Sequence, residues 1–188
     1  VFKNQKDDTE KTFYYPEGIK SYLKSMLEGD STSPVGGECF DLDRANGIKI
    51  EVAFCWTEST QEQVFSYVNG IHTKGGGTHE DGFKSGLSKA LRNYISVHNL
   101  LPKGVKITGE DIREGLVAVL SVSVPGAVSQ LQFQGQTKDR LNNPELEAPV
   151  DALVKSFENV LNSKPSVANA LVERITLAAK ARAAARSA

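Results

Sequence analysis

The chain has 188 residues, of which 39% are hydrophobic and 24% charged, and its formal net charge is −1 at pH 7. This composition excludes wholesale disorder and fits one large domain, or one domain with an appendage. The near-neutral charge excludes a global attraction to nucleic acid or membrane, so any such contact depends on a local patch.

The two cysteines, Cys39 and Cys55, belong to no CxxC or CxxH pattern, and two cysteines do not make a disulfide scaffold. We therefore expect reduced, partly buried thiols in a cytoplasmic protein. No apolar run reaches the length of a membrane span, and no signal peptide opens the chain. Because the chain begins with Val1 and not with Met, we expect it to be a piece of a longer protein.

A strand and a short amphipathic helix are the first predicted elements. Residues 12–15 are β-like, and the helix begins after Pro16 and stops at Gly29. Its apolar residues recur at helical spacing: Ile19, Tyr22, Leu23, Met26 and Leu27.

A β-hairpin follows, because an Asn-Gly dipeptide joins two β-like runs, residues 39–44 and 48–57. In the second run the apolar positions alternate: Ile48, Ile50, Val52, Phe54 and Trp56. This alternation predicts a strand with one buried face and one wet face, and Ala53 and Cys55 lie on the wet face.

The rest of the chain first predicts a strand at 63–69, then a helix of about five turns whose apolar positions fall within 83–95, and a helical turn at 112–115. A central strand follows at 116–124, then a long helix at 146–161 and a third helix that begins at Pro165. There is no internal repeat and no linker long enough to divide the chain. We expect an α+β sandwich: a mostly antiparallel sheet with helices gathered on one side.

A glycine-rich stretch, Gly75 to Gly82 (GGGTHEDG), precedes the long helix at 83–95. Thr78 is a good N-cap, and Asp81 completes a capping-box pattern, so a helix start with a flexible entry is the favoured interpretation. Free N–H groups before a helix can also hold phosphate, so an anion site is the alternative. The Walker pattern GxxxxGK[ST] is absent.

Two other clusters are predicted to be structural. In TGEDIREG we expect the cluster to cap a short helix and Arg113 to pair with Glu110 or Asp111, with acid–base chemistry of the carboxylates as the alternative. The possible metal ligands are His72, His79, His98, Cys39 and Cys55. Their spacings match no zinc pattern, so no metal site is predicted.

Glutamine recurs at every second position in SQLQFQGQTKDRLNN, residues 129–143. Leu131 and Phe133 alternate with the glutamines, which predicts an edge strand with a polar face. Lys138 follows at the end of this strand. A lysine charge beside amide hydrogen-bonding groups suits a terminal phosphate.

The last helix carries four candidate DNA-facing residues: Arg174, Lys180, Arg182 and Arg186. The simple interpretation is a solvated helix whose carboxyl-terminal cations are favoured by the helix dipole. The alternative is a rim that faces DNA phosphates.

Four segments, in this order, carry a family resemblance: GGGTHEDGFKSGLSKALRNY, TGEDIREGLVAVLSVSVP, FQGQTKDRLNNPEL and AAKARAAAR. With PEGIK before the first helix, they resemble the second domain, the transducer, of the ATPase subunits of type IIA DNA topoisomerases (DNA gyrase B and its topoisomerase IV counterpart). The resemblance implies a transducer at residues 13–188 and a remnant of a preceding ATPase domain at residues 1–12.

The resemblance implies a ribosomal-protein-like fold with a four-stranded sheet, helices on one face and a left-handed βαβ crossover. The family's QTK motif matches Gln136, Thr137 and Lys138. In relatives these residues bind ATP held by the preceding domain, and the glutamine and lysine reach its γ-phosphate. The resemblance therefore assigns Gln136 and Lys138 catalytic roles, with phosphate release freeing the domain to rotate and move the DNA gate.

The resemblance also implies cofactors and partners. The intact subunit would use ATP and Mg²⁺, with the Mg²⁺ ligands and the general base in the preceding domain, so the chain alone would be inactive. The partners would be DNA, the ATPase domain, a DNA-cleaving subunit of the gyrase A type and a second copy in a homodimer. One departure is the link from Pro125 to Phe133, which is longer than in the family and leaves the approach of the QTK loop open.

Two other function classes fit the sequence less well. A stand-alone nucleic-acid-binding module on the same fold is disfavoured by the near-neutral charge and by the lack of aromatic residues set out for base stacking. A small-molecule kinase of the related superfamily would need its own glycine-rich phosphate loop, and the stretch that ends in THEDGFK fits the topoisomerase pattern better.

Overall fold

A computed structural model describes residues 18–125, 133–134 and 140–187 of the chain. Its helices are α1 (Ile19–Gly29), α2 (Thr78–Val97), α3 (Gly109–Arg113), α4 (Glu147–Lys155), α5 (Phe157–Ser163) and α6 (Pro165–Ser187). Its strands are β1 (Phe40–Asn46), β2 (Ile48–Trp56), β3 (Gln63–Val68), β4 (Ile71–His72), β5 (Gly76–Gly77), β6 (Leu116–Ser123), β7 (Phe133–Gln134) and β8 (Arg140–Leu141). None of the helices within these ranges is long and apolar enough to cross a membrane.

The main sheet has the strand order β1-β2-β6-β3-β4. Strand β2 is antiparallel to both β1 and β6, whereas β3 is parallel to β6 and reaches it by a crossover through α2 and α3. The predicted α+β class and the predicted central strand are confirmed. The fifth strand, β4, is two residues that fold back on β3, and the hand of the crossover stays a prediction.

The predicted β1–β2 hairpin is confirmed. Its register runs from Asn46 opposite Ile48 to Phe40 opposite Phe54. Gly47 makes the turn at φ 81°, a left-handed conformation that glycine adopts without the steric cost of a Cβ.

The larger core lies on the sheet face that carries Phe54 and Trp56. Phe40, Phe54, Trp56 and Phe157 form a cluster with ring centroids 4.9–6.4 Å apart, and Phe83 of α2 lies 5.7 Å from Phe54. The indole nitrogen of Trp56 donates to the carbonyl of Ile112 at 2.7 Å, so its polar atom is paired inside this core. Each of the helices α2 to α6 contributes buried residues to this core.

The opposite face of the sheet is covered by α1, so the helices are not all on one side of the sheet as predicted. The same helix corrects a prediction about β2. The alternation along β2 predicts that Ala53 and Cys55 face water, but both are fully buried. Apolar residues of α1, Leu23 and Leu27 among them, pack against them and form a second, smaller core. Alternation along a strand shows which residues share a face, and a distant helix decides whether that face is wet.

Helices α2 and α4 approach each other through two glycines. A Cβ on Gly82 would lie 2.4 Å from the carbonyl oxygen of Glu147, and one on Gly86 would lie 2.5 Å from that of Asp151. Such contacts are too short for any side chain, so the helices meet backbone to backbone. The long helix predicted at 146–161 is two helices, α4 and α5, which meet at Ser156.

Candidate functional site at the amino-terminal end of helix α2

A small second sheet holds the strands that flank the predicted QTK motif. Strand β8 pairs antiparallel with β7 and parallel with β5, in the order β5-β8-β7. Residues 135–139, which include Gln136, Thr137 and Lys138, connect β7 to β8 and lie outside the described residues. The structure therefore gives the two ends of this segment, and the roles of its three residues stay predictions.

Strand β5 consists of two glycines because the backbone of β8 lies directly against it. A Cβ on Gly77 would lie 2.5 Å from the carbonyl oxygen of Leu141, and Gly77 has φ 150°. A Cβ on Gly76 would meet the carboxylate of Glu80 at 3.1 Å. The negative charge of Glu80 opposes a phosphate at this position, so the described geometry does not support the alternative of an anion site at this turn.

Side chains tie β8 to the start of α2. The hydroxyl of Thr78 donates to the carbonyl of Asn143. The guanidinium of Arg140 donates to the carbonyl of Gly75 at 3.1 Å and pairs with the carboxylate of Asp81 at 3.5 Å. The predicted capping box at Thr78 is therefore wrong: Gly77 is the N-cap, and it makes no side-chain cap.

A buried polar network lies behind this turn. The Nε2 atom of His79 is 3.0 Å from the hydroxyl of Thr73, which donates to the carbonyl of Ser66 at 2.8 Å. The hydroxyl of Ser66 donates to the carboxylate of Glu80 at 2.9 Å. Burial, with the charge of Arg140 as a smaller cause, lowers the pKa of His79 to about 4, so the imidazole is neutral at pH 7.

The network continues as ion pairs from α2 to α3. Lys84 lies 3.4 Å from Glu80 and 3.6 Å from Glu62, and Glu62 accepts from Arg113 at 3.1 Å. The prediction that Arg113 pairs with Glu110 or Asp111 is therefore wrong. Its partner comes from the loop before β3, which no local pattern in TGEDIREG could indicate.

The prediction that the cluster in TGEDIREG caps a short helix is confirmed, and the cap is a capping box between Thr108 and Asp111. The hydroxyl of Thr108 accepts from the backbone N–H of Asp111, and the Asp111 carboxylate accepts from that of Thr108. Arg182 of α6 completes the site, since its Nε and Nη2 donate to the two carboxylate oxygens at 3.0 and 2.9 Å. Burial alone would raise the pKa of Asp111, but the hydrogen bonds from Arg182 and Thr108 outweigh it and lower the pKa. A carboxylate held ionised in this way is structural and does not donate protons at neutral pH.

The four candidate DNA-facing residues divide into two pairs. Arg182 is bound to Asp111, and Arg174 donates to the carbonyl of Ser59, with only 14% of its side chain exposed. Lys180 and Arg186 are exposed. Any contact with DNA from this helix therefore depends first on Lys180 and Arg186.

The histidines and cysteines are not assembled into a metal site within the described residues. His98 is hydrogen-bonded to Asn162 at 3.0 Å, and the ring of His72 stacks on Tyr67 with centroids 5.0 Å apart. Each histidine thus has a structural contact of its own.

Sequence reasoning missed the residues that anchor β8, namely Gly77, Thr78, Arg140 and Asn143. Thr78 and Asn143 are 65 residues apart in sequence, so no local pattern connects them. The sequence did contain one signal, the run of adjacent glycines before the helix. Such glycines often mark a place where another segment of backbone approaches closely.

A family model described as DNA gyrase B matches residues 18–188. The chain is 38% identical over 181 residues to the DNA gyrase B protein of Bacillus mycoides, covering 95% of this chain and 43% of the relative. It is 36% identical over 188 residues to the DNA gyrase B protein of Helicobacter pylori, covering 100% of this chain and 24% of the relative.

Two solved structures have the same fold. One is the 43K ATPase domain of Thermus thermophilus gyrase B in complex with an aminocoumarin, with TM-score 0.80, 34% identity, and coverage of 90% of this chain and 45% of that one. The other is the topoisomerase IV ATP binding domain of Francisella tularensis with a small-molecule inhibitor, with TM-score 0.74, 34% identity, and coverage of 90% and 44%. The chain spans less than half the length of each of these relatives and structures.

Proposed function

The chain belongs to the DNA gyrase B family, and from this premise we propose that it is the transducer domain of the ATPase subunit of a type IIA DNA topoisomerase. Residues 13–188 form this domain, and residues 1–12 are the remnant of a preceding ATPase domain. Support comes from the solved structures named as ATPase and ATP-binding domains, of which this chain covers 45% and 44%. Their remaining length leaves room for a separate nucleotide-binding domain.

In this proposal the chain contributes a phosphate contact to an ATP and Mg²⁺ site that the preceding domain holds. Lys138 offsets the negative charge that develops on the γ-phosphate, and Gln136 orients that phosphate through its amide. Thr137 belongs to the same binding segment. Hydrolysis transfers the γ-phosphoryl group of ATP to water, and release of the resulting phosphate ends these contacts.

The observation that carries the proposal is the anchoring of β8, the strand that directly follows the QTK segment. Strand β8 pairs with Gly76 and Gly77, and Thr78 bonds to Asn143, so a force on Lys138 acts on the first turn of α2. Helix α2 meets α4 backbone to backbone, so the two helices move together. A phosphate contact at the loop can thereby become a displacement of the whole domain.

The activity and partners of the parent enzyme belong to the same proposal. It is an isomerase that couples ATP hydrolysis to DNA strand passage in the cytoplasm. It works as a homodimer with a DNA-cleaving subunit of the gyrase A type. Lys180 and Arg186, exposed on α6, are the cations through which this chain contacts DNA.

The substitution Lys138→Ala in the intact subunit tests the phosphate contact. We expect ATP turnover to fall about 100-fold, because the lost interaction is strongest in the transition state, while the Kd for ATP changes little. Steady-state ATPase assays and calorimetry measure the two quantities. The matched control is Lys103→Ala, which removes an exposed lysine from the turn before α3 and should leave both unchanged. An unchanged turnover rate in Lys138→Ala would refute the role.

A further inference from the structure

Cys39 and Cys55 face each other across the β1–β2 hairpin, beneath helix α1. Phe40 pairs with Phe54, so one further step of the antiparallel register sets Cys39 opposite Cys55. Residues opposite each other in antiparallel strands have Cα atoms about 4.5–5.5 Å apart, within the range of about 4.4–6.8 Å that a disulfide spans. Both thiols are free, and the thiol of Cys55 is hydrogen-bonded to the sulfur of Cys39.

The two thiols differ in charge state. The hydrogen bond from Cys55 lowers the pKa of Cys39 to about 7, and the nearby Lys24 and Lys20 act in the same direction, although burial opposes them. The same hydrogen bond and burial raise the pKa of Cys55. Cys39, which lies near Lys20 and Lys24, is therefore the thiol of the pair that ionises more readily.

The two thiols also differ in access. Cys39 lines a cavity of about 310 Å³ between α1 and the loop before β1, together with Lys20, Lys24 and Glu28. Cys55 does not line this cavity and is fully buried. A small molecule in the cavity reaches Cys39 first, and the positive charges of the lysines stabilise the thiolate there.

We propose that Cys39 and Cys55 form a reversible thiol–disulfide site whose oxidant is a small hydroperoxide. The Cys39 thiolate attacks the peroxide oxygen and the O–O bond breaks. The leaving alkoxide or hydroxide takes a proton from solvent, so the products are the Cys39 sulfenic acid and an alcohol or water. The Cys55 sulfur then attacks the Cys39 sulfur, and the hydroxyl leaves as water with the Cys55 proton. Two electrons pass from the two sulfurs to the peroxide. An external dithiol, or two monothiols, then reduces the Cys39–Cys55 disulfide back to two thiols and is itself oxidised to a disulfide. This proposal does not depend on the topoisomerase function.

The test is oxidation of the folded chain with hydrogen peroxide, followed by intact mass spectrometry, peptide mapping and non-reducing electrophoresis. We expect a monomeric product that has lost two hydrogens, contains a Cys39–Cys55 cross-linked peptide and is restored by dithiothreitol. In Cys55→Ser the sulfenic acid has no partner, so a dimedone adduct should accumulate on Cys39. In Cys39→Ser the adduct should be at least about 10-fold lower, because Cys55 is protonated and buried.

A labelling experiment on the unsubstituted chain covers the case in which a serine variant does not fold. Substoichiometric iodoacetamide should alkylate Cys39 about 10-fold faster than Cys55, and unfolding in about 8 M urea should abolish the difference. Three results would overturn the proposal: equal alkylation of both thiols in the folded chain, two free thiols after peroxide treatment, or a disulfide between two chains.

Discussion

Burial makes a positive charge on His79 costly to the folded protein. Its side chain is fully buried, Nε2 is hydrogen-bonded to Thr73, and Nδ1 has no hydrogen-bond partner among the described residues. The hydroxyl of Thr73 already donates to a carbonyl, so it is free to accept the Nε2 proton of the neutral ring. Protonation of Nδ1 would create an unpaired charge next to Arg140.

The stability of the protein should therefore fall as the pH drops from about 6.5 to about 4. The unfolded chain binds a proton at His79 below pH of about 6.5, whereas the folded site resists it until about 4. Neutral His79 contributes its full stabilisation at pH values above its pKa in the unfolded chain. This contribution falls by about 3 kcal/mol as the pH drops to the folded pKa of about 4. Urea unfolding at a series of pH values measures this slope.

The variant His79→Gln should lose most of this pH dependence, since a glutamine does not titrate. The control is His98→Gln, at the exposed carboxyl-terminal end of the same helix, which should keep the slope of the unsubstituted protein. Equal slopes in His79→Gln and the unsubstituted protein would contradict the assignment.

At the scale of elements, the packing of α2 on α4 depends on the absence of a side chain at Gly86. A Cβ there would lie 2.5 Å from the carbonyl of Asp151 and 2.9 Å from the Cβ of Val154. The two helices are also joined at this point by Ser85, whose hydroxyl donates to the carboxylate of Asp151 at 2.6 Å. The axis of α2 cannot move outward without breaking this bond.

We expect Gly86→Ala to lower the free energy of unfolding by about 2 kcal/mol. Alanine favours the helix by about 1 kcal/mol, but overpacking costs about 1–3 kcal/mol plus the displaced contacts, and the clash outweighs the gain. The matched control is Gly29→Ala in α1, a helical glycine with open space around it, which should be neutral or stabilising. Chemical denaturation of both variants provides the measurement: equal stability of Gly86→Ala and Gly29→Ala would show that α2 and α4 do not pack this closely.

A helix or hairpin could be predicted from the sequence where all the residues that determine it lie in one short segment. The β1–β2 hairpin follows from Asn-Gly and its flanking alternation, and α1 follows from helical spacing between Pro16 and Gly29. The burial of Ala53 was not predictable, because α1 covers that face from elsewhere in the sequence. The same holds for Arg182, whose partner Asp111 lies 71 residues away.

At the scale of the whole molecule, the main sheet separates two cores with different neighbours. The smaller core, under α1, contains both cysteines. The larger core contains buried residues of α2, and strand β8 pairs with β5 directly before that helix, with β7 on its other side. The site proposed for phosphate and the thiol pair are therefore built on different layers. The thiol pair can therefore be oxidised or substituted without changing a residue of the proposed phosphate contact.

The chain by itself should not bind ATP appreciably. The described residues at the start of α2 place the carboxylate of Glu80 beside Gly76, which opposes an anion, and the proposed contact is left to Lys138 and Gln136. A charge-assisted hydrogen bond contributes about 1.5–3 kcal/mol and a neutral one about 0.5–1.5 kcal/mol. The lost freedom of association costs at least about 4 kcal/mol, so the net falls well short of the roughly 4 kcal/mol that corresponds to a Kd of 1 mM. Titration calorimetry with MgATP should thus give only the heat of dilution.

The intact subunit is the positive control for that titration, and the chain with Lys138→Ala is the matched negative control. A Kd of about 100 µM or tighter for the unsubstituted chain alone would correspond to more than 5 kcal/mol of binding free energy. A lysine and an amide do not supply that much, so the chain would then hold a nucleotide site of its own. Binding that disappears in Lys138→Ala would place this site at the QTK segment, and binding that persists would place it elsewhere in the chain. Either result would contradict the proposal that the preceding domain holds the nucleotide and this chain adds only a phosphate contact.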